Sequence, residues 1–227
     1  MTSWLLAGVL LLVIVIRLYR DASGKRRREA AERAAEAETI GGILEEARRV
    51  PGTAAGVSTF AGRWHGERAQ VTTIVDTLAT RKLPALWLSV TITEPVNIAA
   101  TFDMMMRPAG PTTFSRFDFL PHTLATPPGF PLEAVIRTDA PGTLLPFATI
   151  GAHLETFQNG RAKELLITRN GLRFVWLLSE ADRVRYGVFR QADFGGARLD
   201  PALVETLLGR LSALRAALNA DAVKAAA

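Results

Sequence analysis

Side chains that could act in catalysis lie close together at only one place in the sequence. Ser115, Asp118 and His122 fall within one short segment, and a hydroxyl, a carboxylate and an imidazole are the three groups of a hydrolase triad. The segment is rich in proline, which does not favour a helix that would hold the three side chains on one face. A hydrolase is therefore a minor alternative, and we expect no catalytic residue in this chain.

Groups that bind metals or cofactors are also scarce. The chain has no cysteine, and its three histidines, His65, His122 and His153, lie far apart. The composition excludes disulfides, cysteine-ligated zinc, iron–sulfur clusters and a thiolate nucleophile. The sequence also lacks a glycine-rich phosphate loop, a nucleophile elbow and an H-E-x-x-H motif. We therefore expect no metal, no cofactor and no enzymatic activity.

One long segment, Arg107–Glu133, has an unusual composition, and we call it the Pro/Phe loop. It holds six of the twelve prolines and four of the eleven phenylalanines. A long loop in a compact domain is uncommon and is usually functional, and proline stiffens it. Two interpretations remain open: the loop docks a partner, or it folds back as a lid over its own sheet. The candidate docking residues are Phe114, Phe117, Phe119, Pro121 and Phe130.

The N-terminus contains an apolar run, Trp4–Ile16, of thirteen residues. A membrane span needs about 20 residues, but Arg17 can extend its head group to the interface, so residues 2–19 suffice. A cleaved signal peptide is disfavoured because no basic residue precedes the run and no cleavage site follows it; an interfacial helix is a further alternative. We predict a transmembrane anchor over residues 1–20, with Trp4, Leu11, Ile16 and Tyr19 in the bilayer or at its interfaces.

Positive charge is concentrated directly after this run. The whole chain has a net charge of +5, and residues 17–28 alone account for it, with six basic side chains against Asp21. These six are Arg17, Arg20, Lys25, Arg26, Arg27 and Arg28. Such a cluster favours an N-terminus outside and a main domain in the cytoplasm of a bacterial inner membrane, with basic side chains at the lipid headgroups. The near-neutral remainder argues against a nucleic-acid partner.

The rest of the chain predicts a neck and one domain. Residues 21–50 are rich in helix formers and predict a charged helical neck that ends with a short helix at Ile43–Val50. Residues 51–219 predict a cytoplasmic α+β domain, and residues 220–227 a tail. Asp200-Pro201 begins a C-terminal amphipathic helix, with leucines at 203, 207, 211, 214 and 218, spaced to form one apolar stripe.

Alternating apolar residues and turn signals predict a mainly antiparallel sheet in this domain. The predicted strands are Ser58–Trp64 and Ala69–Val75 around a His65-Gly66 turn, Ala85–Thr93, Val96–Met104, Glu133–Thr138, Lys163–Thr168 and Leu172–Leu178 around Asn170-Gly171, and Arg183–Phe189. A helix is predicted at Leu144–Phe157, before Asn159-Gly160.

The Trp4–Ile16 anchor, the Lys25–Arg28 cluster and a single soluble domain together resemble the single-span accessory subunits of bacterial photosynthetic reaction-centre–light-harvesting complexes. The resemblance implies a non-enzymatic subunit that stabilises contacts between ring and core, with other subunits and the lipid bilayer as partners. We expect no pigment ligand in the span, because it holds no histidine. A respiratory or transport complex fits the same features. The alternative is a membrane-tethered assembly or quality-control factor that binds client proteins through the Pro/Phe loop.

Overall fold

The computed structural model describes residues 17, 20, 31, 34–51, 54, 56–77, 83–190 and 192–226. The chain divides into two compact units, Met1–Thr39 and Ile40–Ala227. In the first unit, Arg17 and Arg20 are helical and exposed, and residues 34–39 are helical. The predicted anchor residues Trp4, Leu11, Ile16 and Tyr19, and the basic residues Lys25, Arg26, Arg27 and Arg28, lie outside the described residues.

None of the helices in this described part of the chain has the length and hydropathy that a membrane span requires.

The second unit contains one sheet of nine strands, all paired antiparallel. The order across the sheet is β1-β2-β3-β4-β9-β8-β5-β7-β6. The strands are β1 Glu45–Arg49, β2 Val57–Trp64, β3 Glu67–Asp76, β4 Ala85–Ile92, β5 Phe102–Met106, β6 His122–Leu124, β7 Ala134–Thr138, β8 Ala162–Thr168 and β9 Gly171–Glu180. The predicted α+β class, mainly antiparallel with a C-terminal helix, is confirmed at this level.

Both predicted hairpins form. His65 and Gly66 have φ values of 47° and 81° between β2 and β3, as a tight turn with two left-handed residues requires. Arg169 and Asn170 connect β8 to β9, and Gly171 begins β9. An added Cβ on Gly171 would lie 2.2 Å from the carbonyl oxygen of Ile92 on β4. Glycine therefore allows β9 and β4 to approach closely at this end of the sheet.

One face of the sheet is covered by the C-terminal helix, Pro201–Ala226. The Asp200 carboxylate accepts a hydrogen bond from the Ala202 N–H at 3.0 Å, which confirms the predicted cap. Four leucines of the predicted stripe, at 207, 211, 214 and 218, are buried against the sheet core. The helix continues through most of residues 220–227, which we predicted as a tail; alanine there is a strong helix former.

The segment Ile43–Val50, predicted as a helix, contains strand β1 instead. Arg49 pairs with Phe60 of β2, and the pairing is close because Gly62 has no side chain: a Cβ there would lie 2.6 Å from the Glu45 carbonyl oxygen. Ile40 is fully buried. The domain therefore begins at Ile40, earlier than the predicted boundary at residue 51.

Three further elements differ from their predictions. Arg183–Phe189 is a helix and not a strand, capped by the Asp182 carboxylate, which accepts from the Arg185 N–H at 2.7 Å. The predicted strand Val96–Met104 starts only at Phe102. The predicted helix Leu144–Phe157 is replaced by a short helix, Phe147–Gly151, and a 3-10 turn, Glu155–Gln158.

We predict that Gly171→Ala destabilises the domain by about 1–3 kcal/mol, because the new methyl group forces β4 and β9 apart. The matched control is Gly209→Ala on the exposed face of the C-terminal helix, where an added Cβ meets nothing within 4 Å. This control should be neutral or stabilising by up to about 1 kcal/mol. Chemical denaturation measures both, and equal effects of the two substitutions would contradict the close approach at Gly171.

Candidate functional site

The Pro/Phe loop covers the face of the sheet opposite the C-terminal helix. Adjacent residues of a strand point to opposite faces, and Met104 and Met106 pack in the core with the helix, whereas Met105 packs with Phe114 and Phe117 of the loop. The Phe114 ring lies 5.1 Å, centroid to centroid, from Trp87. The loop therefore closes a second, smaller apolar core on this face.

Phe130 belongs to the main core. Its ring contacts Phe102 and Phe147 at centroid distances of 6.5 and 6.0 Å. The loop also has regular structure that the sequence did not predict: a 3-10 turn at Phe117–Phe119 and strand β6. Of the candidate docking residues, Phe114, Phe117 and Phe130 are buried, as a lid requires.

The exposed tip of the loop consists of the two remaining candidates, Phe119 and Pro121. The Phe119 side chain is 83% exposed, and Pro121 is also exposed. The guanidinium of Arg137 on β7 lies 5.0 Å from the Phe117 ring and donates to the Asp118 carbonyl at 3.1 Å. The tip is therefore held against the sheet by the residues on either side of Phe119.

Two buried carboxyls lie under the loop on neighbouring strands. Asp103 of β5 is 2% exposed and Glu164 of β8 is fully buried. Glu164 pairs with Met105, so the two carboxyl groups are diagonal neighbours on the same face. Burial raises the pKa of both carboxyls; that of Asp103 reaches about 8, because the negative charge of Glu164 adds to the effect of burial.

Glu164 connects the loop to the sheet. Its carboxylate accepts from Arg173 Nη2 of β9 at 2.7 Å and from the hydroxyl of Ser115 in the loop. The Ser115 oxygen in turn accepts from the Phe117 N–H at 3.0 Å. A buried carboxylate needs such partners, because an unpaired buried charge is costly. Arg173 and Ser115 oppose the rise in the pKa of Glu164.

A cavity of about 450 Å³ lies beside this cluster. Two buried atoms of its lining residues, Asp103 Oδ1 and Arg173 Nε, have no hydrogen-bond partner. The rest of the lining mixes apolar side chains, including Phe114 and Phe119, with hydroxyls, including Ser115. A concave apolar site with a few converging polar groups is the usual form of a small-molecule site.

The residues of the hydrolase alternative have other partners. Ser115 donates to Glu164, the Asp118 carboxylate faces Arg137 at 4.0 Å, and His122 is exposed on β6. His65 is in its predicted turn, and His153 is half-buried after the short helix. In the described part of the chain, no cluster of three His, Asp or Glu side chains could hold a metal ion.

Sequence analysis did not identify Asp103, Glu164 or Arg173 as site residues. The available signal was the presence of charged residues inside three predicted strands. Its meaning depends on the pairing of β5, β8 and β9, which brings together positions far apart in the chain.

We predict that Asp103→Asn removes a loss of stability with rising pH. The pKa of Asp103 is about 8 in the folded protein and 3.8 for an ordinary carboxyl, so the folded state binds more protons between these values. Stability therefore falls as pH rises through this range. Asparagine removes that dependence, and its advantage should grow towards pH 8 to several kcal/mol, since one pKa unit corresponds to about 1.4 kcal/mol.

The control is Asp139→Asn, because the contribution of Asp139 to stability has the opposite pH dependence. The Asp139 carboxylate accepts from the Thr101 N–H and hydroxyl at 2.9 and 2.7 Å, and these bonds lower its pKa. Its contribution is present at neutral pH and lost as pH falls. Denaturation midpoints measured from pH 3 to pH 9 test both variants, since the change for Asp139 lies at the acid end of this range. A parallel pH profile for wild type and Asp103→Asn would show that Asp103 is ionised throughout.

No protein-family model, curated protein or solved structure matches this chain. Evidence for its function comes from its own residues: the N-terminal sequence pattern, the exposed loop tip and the cavity beside the buried carboxyls.

Proposed function

We propose that the protein is a non-enzymatic, single-span accessory subunit that stabilises a bacterial membrane protein complex. The domain docks on the complex through the exposed tip of the Pro/Phe loop, Phe119 and Pro121. The observation that carries the proposal is the 83% exposure of Phe119 between residues that are firmly held. Large aromatic side chains in this position are typical anchors of protein interfaces.

The support for the tip comes from its neighbours. Phe117 is buried under Arg137, and the carbonyl of Leu120 accepts from Arg137 Nη1 at 3.5 Å. Proline at 121 restricts the backbone further. A loop that already holds its bound shape loses little conformational entropy on docking, which favours affinity.

The membrane part of the proposal depends on the sequence. The apolar run Trp4–Ile16 and the six basic residues after it support an anchor in the bacterial inner membrane, with the N-terminus outside and the domain in the cytoplasm. Among membrane complexes, a photosynthetic reaction-centre–light-harvesting complex is our candidate, because this arrangement of anchor, cluster and single domain resembles its accessory subunits.

We predict that the full-length protein co-migrates stoichiometrically with a larger complex on native electrophoresis after gentle detergent extraction. Phe119→Ala should weaken this association while changing the stability of the domain by less than about 0.5 kcal/mol, because the side chain is exposed. The control is Leu144→Ala, outside the loop, where the side chain is 92% exposed.

A free monomer in the wild-type extract would reject the subunit proposal. Substoichiometric, varied co-purifying proteins would favour the assembly-factor alternative. Unchanged co-migration of Phe119→Ala would place the docking surface elsewhere.

We predict that a reporter active only in the periplasm is inactive when fused to the C-terminus of the full chain, and that a cytoplasm-only reporter is active there. Replacing the basic residues at 25–28 by glutamine should weaken this orientation, because basic residues flanking a span are retained on the cytoplasmic side. Activity of the periplasmic reporter on the unaltered protein would overturn the proposed topology.

A further inference from the structure

We propose that the cavity under the Pro/Phe loop binds a small amphipathic carboxylate. The ligand head group lies against Arg173 and Asp103, and its apolar body packs along Phe114, Phe119, Leu120 and Leu166. This site shares Phe119 with the loop tip but differs from the docking function, because its head-group contacts are buried polar groups of the sheet.

Two unsatisfied polar atoms show where the head group binds. Arg173 Nε is a buried donor without a partner, although Nη2 of the same guanidinium is bonded to Glu164. Asp103 Oδ1 is a buried carboxyl oxygen without a partner. Buried polar groups are nearly always hydrogen-bonded, and an orphan calls for a bound group that completes it. Both residues line the cavity, and in our proposal one ligand head group contacts both.

The charges of the lining favour an anion. The charged side chains among its lining residues are Asp103, Arg116 and Arg173. At neutral pH Asp103 is mainly protonated, because its pKa is about 8. The lining then carries two positive charges, and the Asp103 hydroxyl is a donor.

The charged groups around Asp103 do not reverse this balance. The negative charge of Glu164 offsets only the positive charge of Arg173. The other ion pair packed nearby joins Arg137 to Asp118 at 4.0 Å, and its two charges offset each other. A carboxylate accepts from both Arg173 Nε and protonated Asp103, which an ammonium group cannot do.

The size of the cavity and its apolar side chains define the rest of the ligand. A volume of about 450 Å³ is within the range of about 300–1,000 Å³ of small-molecule sites. The four apolar lining residues can bury one aromatic ring or a short aliphatic chain. The chemical class is therefore a small organic acid with an apolar body, and not an inorganic anion.

Protonation of Asp103 connects binding to pH. A bound carboxylate raises the pKa of Asp103 further, so the complex binds a proton that the free protein loses above pH 8. Affinity should be constant below about pH 7 and fall by up to about tenfold per pH unit above pH 8. An organic ammonium ligand would show the opposite trend, because it prefers ionised Asp103.

The test is isothermal titration calorimetry of the full-length protein in detergent with three probes that share one ring: benzoate, benzamide and benzylammonium. Benzoate should bind at least about tenfold more tightly than the other two at pH 7, as expected for charge-assisted hydrogen bonds. Its affinity should fall above pH 8. Tighter binding of benzylammonium, equal binding of all three, or no heat at millimolar benzoate would overturn the proposal.

Variants separate the two head-group contacts. Asp103→Asn keeps a neutral donor that does not titrate, so the affinity for benzoate should no longer decline above pH 8. The double variant Glu164→Gln, Arg173→Gln removes the buried ion pair together and should weaken benzoate at least about tenfold. The control Arg63→Gln changes an exposed arginine of the β2–β3 hairpin.

Unchanged benzoate binding in a folded double variant would show that Arg173 is not the contact. If the double variant does not fold, the probe series and the pH profile of Asp103→Asn still test the proposed carboxylate site. Both readouts use the protein with Phe119 intact and do not require complex formation, so failure of docking and failure of ligand binding are distinguishable.

Discussion

The domain depends on one buried carboxylate. Glu164 lies in the middle of the sheet, fully buried, and has partners on two sides: Arg173 from the next strand and Ser115 from the Pro/Phe loop. The first contact satisfies a charge that could not otherwise remain in the sheet. The second uses the same charge to hold the loop against the sheet. Everything on this face, including the closed apolar core, the cavity and the exposed tip, depends on the loop being held there.

The two faces of the sheet are consequently stabilised in different ways. The C-terminal helix covers its face with leucines, and apolar burial of this kind has no strict geometry. The loop buries only a few side chains, among them Phe114 and Phe117. It relies on directional contacts from Ser115, Arg137 and Lys163; the Lys163 ammonium donates to the Arg107 carbonyl of the loop at 2.9 Å. A polar cluster with unsatisfied atoms is less stable than a fully apolar core would be. A loss of stability of this kind is common at binding sites, which agrees with our proposal for the cavity.

How much could be predicted from the sequence varied with the range of the interaction. The two hairpins were predictable because a turn such as Asn170-Gly171 acts within a few residues. The N-terminal cap at Asp200 was predictable for the same reason. The helix at Arg183–Phe189 was not predictable, because the spacing of Val184 and Val188 fits both a strand and a helix in so short a segment. Strand β1 was missed because its structure comes from pairing with β2, which outweighs the helix propensity of its residues.

The site shows the same limit more strongly. Phe119 was identified as a candidate because the unusual composition of the loop is visible in the sequence. The sequence did not show which phenylalanines of the loop point inward. Asp103 and Glu164 become neighbours only through the insertion of β5 between β7 and β8, and a register shift of one residue would move either carboxyl to the helix-facing side.

The edge strand β1 has a consequence for the aggregation of the domain. Four of its five residues, Glu45, Glu46, Arg48 and Arg49, are charged and exposed, and its pairing is interrupted by a bulge after Glu45. An open sheet edge invites a foreign strand to add to it, and charges and bulges discourage such addition. The sheet is therefore protected on this side against aggregation through addition of a strand from another chain.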